Sequence, residues 1–241
     1  MLTFFIVSCV NADDRTLSPP SNTEWVNVEI KNPSSYTQPF PLEVLYVSTS
    51  CKRELMSMRD GQHYEKIGYN PIEIALQKQS GSDLWIAKVA KDGGGKCNWK
   101  LSEFNMEIEY IEATHLGKGL VPGTALVATI AFDDNATKNG QFTTVHGDVN
   151  LSPMYCPYIR ERKMNSTESS LSLLSEKNFI SLRGDGANKI RFIPKLDESK
   201  VTRYIGVAKK EPGTYAKIIY PDGSVAPEGT IIPDFNKINA K

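Results

Sequence analysis

The sequence alternates between apolar and polar residues with a period of two, and this feature constrains the fold most. In the run Val26–Ile30 the apolar residues are separated by Asn27 and Glu29, and the pattern recurs at Ile72–Leu76 and Met106–Tyr110. Because successive side chains of a β-strand point to opposite faces, each run predicts a strand with one apolar and one polar face. Similar runs predict further strands at 41–48, 84–90, 124–132, 141–150, 189–194, 201–208 and 214–220.

Turn residues separate the predicted strands. Glycine and asparagine supply the positive-φ positions that hairpins need, at 92–95, 139–140, 184–186 and 221–223. Only residues 55–59 and 170–177 are compatible with short helices, and the run 124–132, apolar on both faces, predicts a central strand. We therefore predict an all-β, antiparallel, β-sandwich-like fold of about ten strands with at most short helices.

Polarity suggests how the chain is divided. The stretch 161–170 is polar and typical of a linker or long surface loop. We predict a linker or long loop over 161–175, between an N-terminal β-domain at 23–160 and a C-terminal β-subdomain at 176–241. The 241 residues suit either one large β-domain or two small ones.

The first twelve residues look like a shortened export signal. The uncharged run Leu2–Val7 is too short to cross a bilayer, and no basic segment precedes it. Ile6–Cys9 has the residue order of a bacterial lipobox, in which Cys9 would be lipidated, and Val10–Ala12 resembles an ordinary signal-peptidase site. We favour a membrane-anchored periplasmic lipoprotein, because the polar, proline-containing segment 13–22 suits a tether. The alternative is a buried N-terminal strand with an incidental cysteine.

Three cysteines remain when Cys9 is set aside, and they permit one intramolecular disulfide in an exported protein. We predict the pair Cys51–Cys97, because each lies at a strand edge and the enclosed loop of about 45 residues makes such a bridge worth about 4 kcal/mol. Cys156 would then be a buried thiol. The alternative is that all three are small core residues.

Charge and motif content argue against several functional classes. Lysine plus arginine and aspartate plus glutamate both number 28, so the basic excess of a general nucleic-acid binder is missing. The sequence has no G-x-S-x-G elbow, no H-E-x-x-H motif and no cysteine and histidine spacing typical of zinc. We predict a protein that is not an enzyme and needs no cofactor. A hydrolase that uses His146 and Asp148 is the lowest-ranked alternative.

Four strings together resemble a known group of proteins: Gly68-Tyr69-Asn70, the run 93–102 (GGGKCNWKLS), the run 220–225 (YPDGSV) and Pro233-Asp234-Phe235. They resemble poorly characterised exported enterobacterial proteins found beside type VI secretion effector genes, some of which look like lipase-immunity lipoproteins. The resemblance spans most of the mature chain, but it lies in turn and core patterns. Those proteins more often carry an aromatic residue at the position of Cys156, which supports an unpaired thiol there.

We therefore expect a periplasmic immunity-like protein that binds and occludes a toxic effector, with a type VI phospholipase as one candidate partner. Hairpin tips inserted into the effector cleft would block its substrate. The candidate contact residues lie in three turns and are Asp92, Gly94, Lys96, Asp133, Asp134, Asn139, Tyr220 and Asp222. The alternative is a carbohydrate- or envelope-binding β-sandwich with Trp85 or Trp99 as a stacking platform.

Overall fold

The computed structural model describes residues 14–137, 142–161, 168–177 and 179–239. These residues form nineteen strands, a 3-10 helix at Thr114–Leu116 and one α-helix, α1, at Phe235–Asn239. The predicted all-β fold is confirmed. The strands are β1 (Trp25–Lys31), β2 (Thr37–Pro39), β3 (Leu42–Met56), β4 (His63–Ile74), β5 (Gln77–Lys78), β6 (Leu84–Ala90), β7 (Asp92–Gly94), β8 (Trp99–Tyr110), β9 (Leu120–Pro122), β10 (Leu126–Ala131), β11 (Thr143–His146), β12 (Val149–Leu151), β13 (Met154–Glu161), β14 (Ser169–Ser175), β15 (Phe179–Asp185), β16 (Lys189–Phe192), β17 (Lys195–Leu196), β18 (Thr202–Ile205) and β19 (Lys217–Ile219).

The strands form three sheets. The large sheet has the order β11-β15-β10-β8-β3-β4, with β2 and β7 also paired to β8. The second sheet is β12-β16-β1-β6-β5, and the third is β19-β18-β13-β14-β9, with β17 paired to β13. The predicted central strand is confirmed, because β10 lies between β15 and β8.

The sheets are mixed rather than antiparallel as predicted. Strand β1 pairs in parallel with β16, and β10 pairs in parallel with β15. Parallel neighbours need a long crossover connection, so they are distant in sequence and leave no turn signal between them. Turn residues in the sequence therefore identify only those neighbouring strands that a hairpin connects.

The inner faces of the sheets share one core. The burial of β1 alternates as its sequence predicts, with Val26, Val28 and Ile30 buried. These side chains belong to the same cluster as Phe104 of β8, and the buried Tyr46 of β3 donates a hydrogen bond to the Ala90 carbonyl of β6 (2.8 Å). Burial raises the pKa of Tyr46 to about 12. The strand pattern therefore buries one continuous apolar interior.

Strand β14 occupies the second half of the predicted linker at 161–175. Its residues 171–175 are buried, and it pairs with β13 and β9. The leucines between its serines reach two cores: Leu171 and Leu173 join the main cluster, and Leu174 joins a smaller one on the other face of the third sheet. The short helices expected at 55–59 and 170–177 are wrong, because cross-strand pairing makes β3 and β14 instead.

The N-terminal segment is packed against the domain over residues 14–18, where a tether at 13–22 was expected. The buried Trp99 indole donates to the Asp14 carbonyl (3.0 Å), and the buried Asn70 amide donates to the Arg15 carbonyl (2.9 Å). The Ser18 amide donates to the Gly93 carbonyl (2.8 Å). Buried donors need acceptors, and this segment supplies them, so it is part of the fold.

We expect Gly94→Ala to lower the free energy of unfolding by about 3 kcal/mol. Gly94 has a φ of 59°, and an added Cβ would lie 2.1 Å from the Ser18 carbonyl oxygen. Gly61→Ala is the matched control, because Gly61 also has a positive φ (70°) but open space around it, so it should lose only about 1–2 kcal/mol. Urea unfolding measures both losses, and equal losses would contradict the packing of the N-terminal segment on this turn.

Candidate protein-binding site

Topology brings several connections to one end of the large sheet. Val47 of β3 pairs with Lys100 at the start of β8, and Ala131 at the end of β10 pairs with Glu103. Strands β15 and β11 run parallel to β10 and end on the same side. We call this edge the hairpin end; it carries the β3–β4 hairpin and the turns at 92–98, 132–137 and 184–188.

The β3–β4 hairpin continues beyond the sheet at this end. Strand β3 pairs with both β8 and β4 over Glu43–Val47, but its residues Arg53–Met56 pair only with His63–Lys66 of β4. A register shift between Ser48 and Arg53 separates the two parts. Residues 52–66 therefore form a two-stranded projection, which we call the finger.

The two faces of the finger differ. Leu55 opposes Tyr64 on one face, and the Lys66 ammonium lies 5.5 Å from the Tyr64 ring centroid. On the other face, Glu54 opposes Glu65, the His63 imidazole lies 2.9 Å from the Glu54 carboxylate, and a lysine at the base of the finger pairs with Glu65. One face is thus mixed apolar and cationic, and the other carries exposed polar pairs together with Met56.

The base of the finger is fixed by a covalent bond. Cys51 and Cys97 form the predicted disulfide, with a Cα–Cα distance of 5.2 Å. The Ser48 hydroxyl donates to the Cys97 carbonyl and accepts from the Cys51 amide (2.9 Å). A Cβ on Gly68 would lie 2.0 Å from the Cys51 carbonyl oxygen, so only glycine fits there. Since an isolated two-stranded hairpin is marginally stable in water, this bracing is what holds the finger in shape.

Cys156 is unpaired and buried, as predicted. Burial raises the pKa of its thiol to about 11. A thiol with a raised pKa is mostly protonated at neutral pH and reacts slowly. The structure therefore gives Cys156 a packing role in the smaller core, where it contacts the same cluster as Leu174 and Ile218.

Exposed apolar side chains lie at the tip of the finger and on its two strands, beside the charged Arg59 and Asp60 of the turn. Met58 is 99 % exposed, and Met56 and Tyr64 are also among the exposed large apolar residues. Exposed apolar side chains grouped on a projection are typical of a surface that binds another molecule. This hairpin replaces the short helix that residues 55–59 predict. The Asp60-Gly61 turn between two alternating runs is the signal that identifies the hairpin.

The predicted contact turn at Asp92–Lys96 lies at the hairpin end, but two of its three candidate residues hold the fold. The Asp92 carboxylate accepts from the Lys100 ammonium and from the Gly94 amide (2.9 Å), and the Lys100 bond lowers the pKa of Asp92. Gly94 packs against the N-terminal segment. Lys96 is exposed, 3.8 Å from the Asp14 carboxylate.

The second predicted turn also lies at the hairpin end. The Asp133 carboxylate accepts from the Ser102 hydroxyl (2.9 Å) and the Ala136 amide (2.8 Å), which shapes the turn. The exposed Asp134 pairs with Arg183. The candidate Asn139 lies outside the described residues.

This second turn contacts the strand below the finger. The Asn135 amide lies 3.5 Å from the Tyr69 hydroxyl, and the Arg53 guanidinium stacks over the Tyr69 ring at 4.0 Å. Tyr69 therefore links the base of the finger to the 132–137 turn.

The third predicted turn lies on the third sheet, away from the hairpin end. Tyr220 is buried, and its hydroxyl accepts from the Asp234 amide (3.0 Å). The exposed Asp222 caps its own turn by accepting from the Ser224 amide and hydroxyl, which lowers the pKa of Asp222. The structure thus brings together two of the three predicted turns and adds the finger, whose base contacts both of them.

The residues of the two alternative functions lie in different surroundings. Trp99 is fully buried, so it offers no stacking surface, and Trp85 lies partly buried in the second sheet. The His146 imidazole faces Asp185 (2.9 Å), whereas Asp148 accepts from backbone amides of Asn188 and Lys189.

Searches with the chain find no matching protein-family model, no similar curated protein and no similar solved structure. Among the described residues, no helix has the length and apolarity needed to span a bilayer. The same residues contain no group of three or more histidine, cysteine, aspartate or glutamate side chains arranged to hold a metal ion.

Proposed function

We propose that this protein is a periplasmic immunity-type binding protein, tethered through a lipidated Cys9, that occludes a toxic effector by inserting the finger into its cleft. The observation that carries this proposal is the projecting finger with an exposed apolar tip and a covalently fixed base. The sequence resemblance to lipase-immunity lipoproteins supports the same function.

The finger has the properties of an effective plug. A hairpin held in one shape before binding loses little conformational entropy when it docks. Methionine side chains are flexible and polarisable, so Met56 and Met58 suit an apolar cleft whose shape they can follow. A cleft that accepts acyl chains has apolar walls, which makes a secreted lipase the effector class that fits the tip best.

The same feature supports the proposed periplasmic location. Disulfides persist in the oxidising bacterial periplasm and are rare in the cytosol. A finger that depends on Cys51–Cys97 for its shape is suited to that environment. Balanced net charge and the absence of a basic excess agree with a protein partner rather than nucleic acid.

We expect Met58→Asp to weaken binding of the cognate effector, a secreted lipase under this proposal, by at least about thirtyfold, as for a central interface residue. The fold should be unaffected because the side chain is 99 % exposed. Surface plasmon resonance measures the affinity, and survival of susceptible cells that express each variant measures protection.

Ile231→Asp is the matched control, since Ile231 is an exposed apolar residue on a segment outside the finger. It should retain both binding and protection. Full binding by Met58→Asp, or loss of binding only in Ile231→Asp, would overturn the assignment of the finger as the contact surface.

A further inference from the structure

A concave groove lies on the other side of the molecule from the finger. It has a volume of about 410 Å³ and opens between the third sheet, the start of β10 and the C-terminal segment. Leu126, Leu174, Phe179, Ile231, Ile232 and Arg160 are among the residues that line it. Leu126 and Phe179 stand at the beginnings of β10 and β15, whereas the finger projects beyond the ends of these strands. The volume is within the range of sites that bind small ligands.

The rim of the groove is strongly apolar. Phe179 is 73 % exposed, Ile231 74 % and Ile232 62 %, although they come from two distant parts of the chain. Single exposed apolar residues are common on protein surfaces, but convergence of several around one concavity is typical of a binding site. The rim therefore favours a ligand with an apolar body.

One cation in the groove has an unsatisfied donor. The Nε of Arg160 is buried and has no hydrogen-bond partner among the described residues. The Arg160 guanidinium lies 5.7 Å from the Tyr204 ring centroid and 6.0 Å from that of Tyr158. The neighbouring Glu161 pairs with Arg203 instead.

No carboxylate forms an ion pair with Arg160 within the described part of the chain. Arg160 lines the groove, and a guanidinium is suited to bind carboxylate or phosphate oxygens in a paired geometry. The groove thus offers an anion-binding group beside apolar walls.

We infer that this groove binds an anionic amphiphile, with its acyl chain against Phe179, Ile231 and Ile232 and its acidic head group at Arg160. A fatty acid and an alkyl phosphate share this chemistry. No residue of the finger lines the groove, so the inference is independent of the proposed function.

The test is a calorimetric titration of the full-length protein, freed of bound lipid, at neutral pH. The probes are decanoate, decyl phosphate, 1-decanol, acetate and inorganic phosphate, each below its aggregation concentration. We expect decanoate and decyl phosphate to saturate one site, 1-decanol to bind at least tenfold more weakly, and acetate and phosphate not to bind. The stronger of the two anionic ligands identifies a carboxylate or a phosphate as the natural head group.

Variants separate the contributions of charge and apolar wall. Arg160→Gln should reduce the affinity for decanoate to that for 1-decanol, and Arg160→Lys should restore part of it. Ile232→Asp, at an exposed position, should weaken every alkyl ligand at least tenfold, while Met58→Asp in the finger should change none.

Three outcomes would overturn the inference. They are equal affinity of the wild-type protein for decanoate and 1-decanol, no saturable binding of either anion up to millimolar concentration, and a concentration-dependent dimer that Ile232→Asp abolishes. The last result would mean that a second copy of the chain covers the groove. The ligand series uses the wild-type protein, so it remains decisive even if the Arg160 variants do not fold.

Discussion

Replacing Cys51 and Cys97 together with alanine should lower the free energy of unfolding by about 4 kcal/mol, because the bridge closes a loop of 46 residues in the unfolded chain. The native state should also loosen at the base of the finger, since the Ser48 bonds to Cys51 and Cys97 lose their covalent support. Urea unfolding of the oxidised protein and the double variant measures the loss.

Unfolding in the presence of a reductant is the control for this prediction. The reductant should lower the free energy of unfolding of the wild-type protein by a similar amount and should not change that of the double variant. Trypsin should cleave at Arg59, in the exposed turn of the finger, faster in the double variant. A loss of stability below about 1 kcal/mol, with unchanged cleavage, would contradict the structural role of the bridge.

Trp99→Ala should lower the free energy of unfolding by about 3–5 kcal/mol, the usual cost of emptying a large aromatic site in a core. Trp99 is fully buried, and its indole holds the Asp14 carbonyl at 3.0 Å. The variant should therefore also release the N-terminal segment. Hydrogen exchange should show faster exchange of the Ser18 amide, which donates to Gly93 in the intact fold.

Two substitutions give the comparison for Trp99. Trp25→Ala, at an exposed position on β1, should cost less than about 1 kcal/mol. The loss in unfolding free energy for Trp99→Phe should lie between those for Trp25→Ala and Trp99→Ala, because phenylalanine keeps an aromatic ring in the core but lacks the indole donor. Similar losses for Trp25→Ala and Trp99→Ala would contradict a core position for Trp99.

Local features of the fold were predictable from the sequence, because their physical cause is local. Burial on β1 follows the alternation at Val26–Ile30 residue by residue. The disulfide was predictable because strand-edge positions and loop length favour one pair of cysteines. Strand β14 was not predictable in the same way, because its serines resemble those of a linker. Its leucines nevertheless pack into cores on both faces of the third sheet.

Features that depend on partners distant in sequence were not predictable. The pairing of β1 with β16 and of β10 with β15 joins strands that share no turn. The finger differs from these pairings, because its two strands are close in sequence and the Asp60-Gly61 turn signals a hairpin, although the run 55–59 taken alone is also compatible with a short helix. Two of the predicted contact turns lie at the hairpin end. The carboxylates of Asp92 and Asp133, however, accept hydrogen bonds from backbone amides within the fold.

The packing of Asp14 on Trp99 fixes where a lipid anchor would hold this protein. Only four residues lie between Cys9 and Asp14, and a fully extended chain spans at most about 3.3–3.6 Å per residue, or roughly 18 Å over the five steps. Because this connection is short and begins beside the finger, a lipid anchor at Cys9 would turn the hairpin end toward the bilayer. Under the proposed function, the protein would then be confined to the membrane surface, where a lipase must bind to reach its substrate, and encounters between the two would occur in two dimensions.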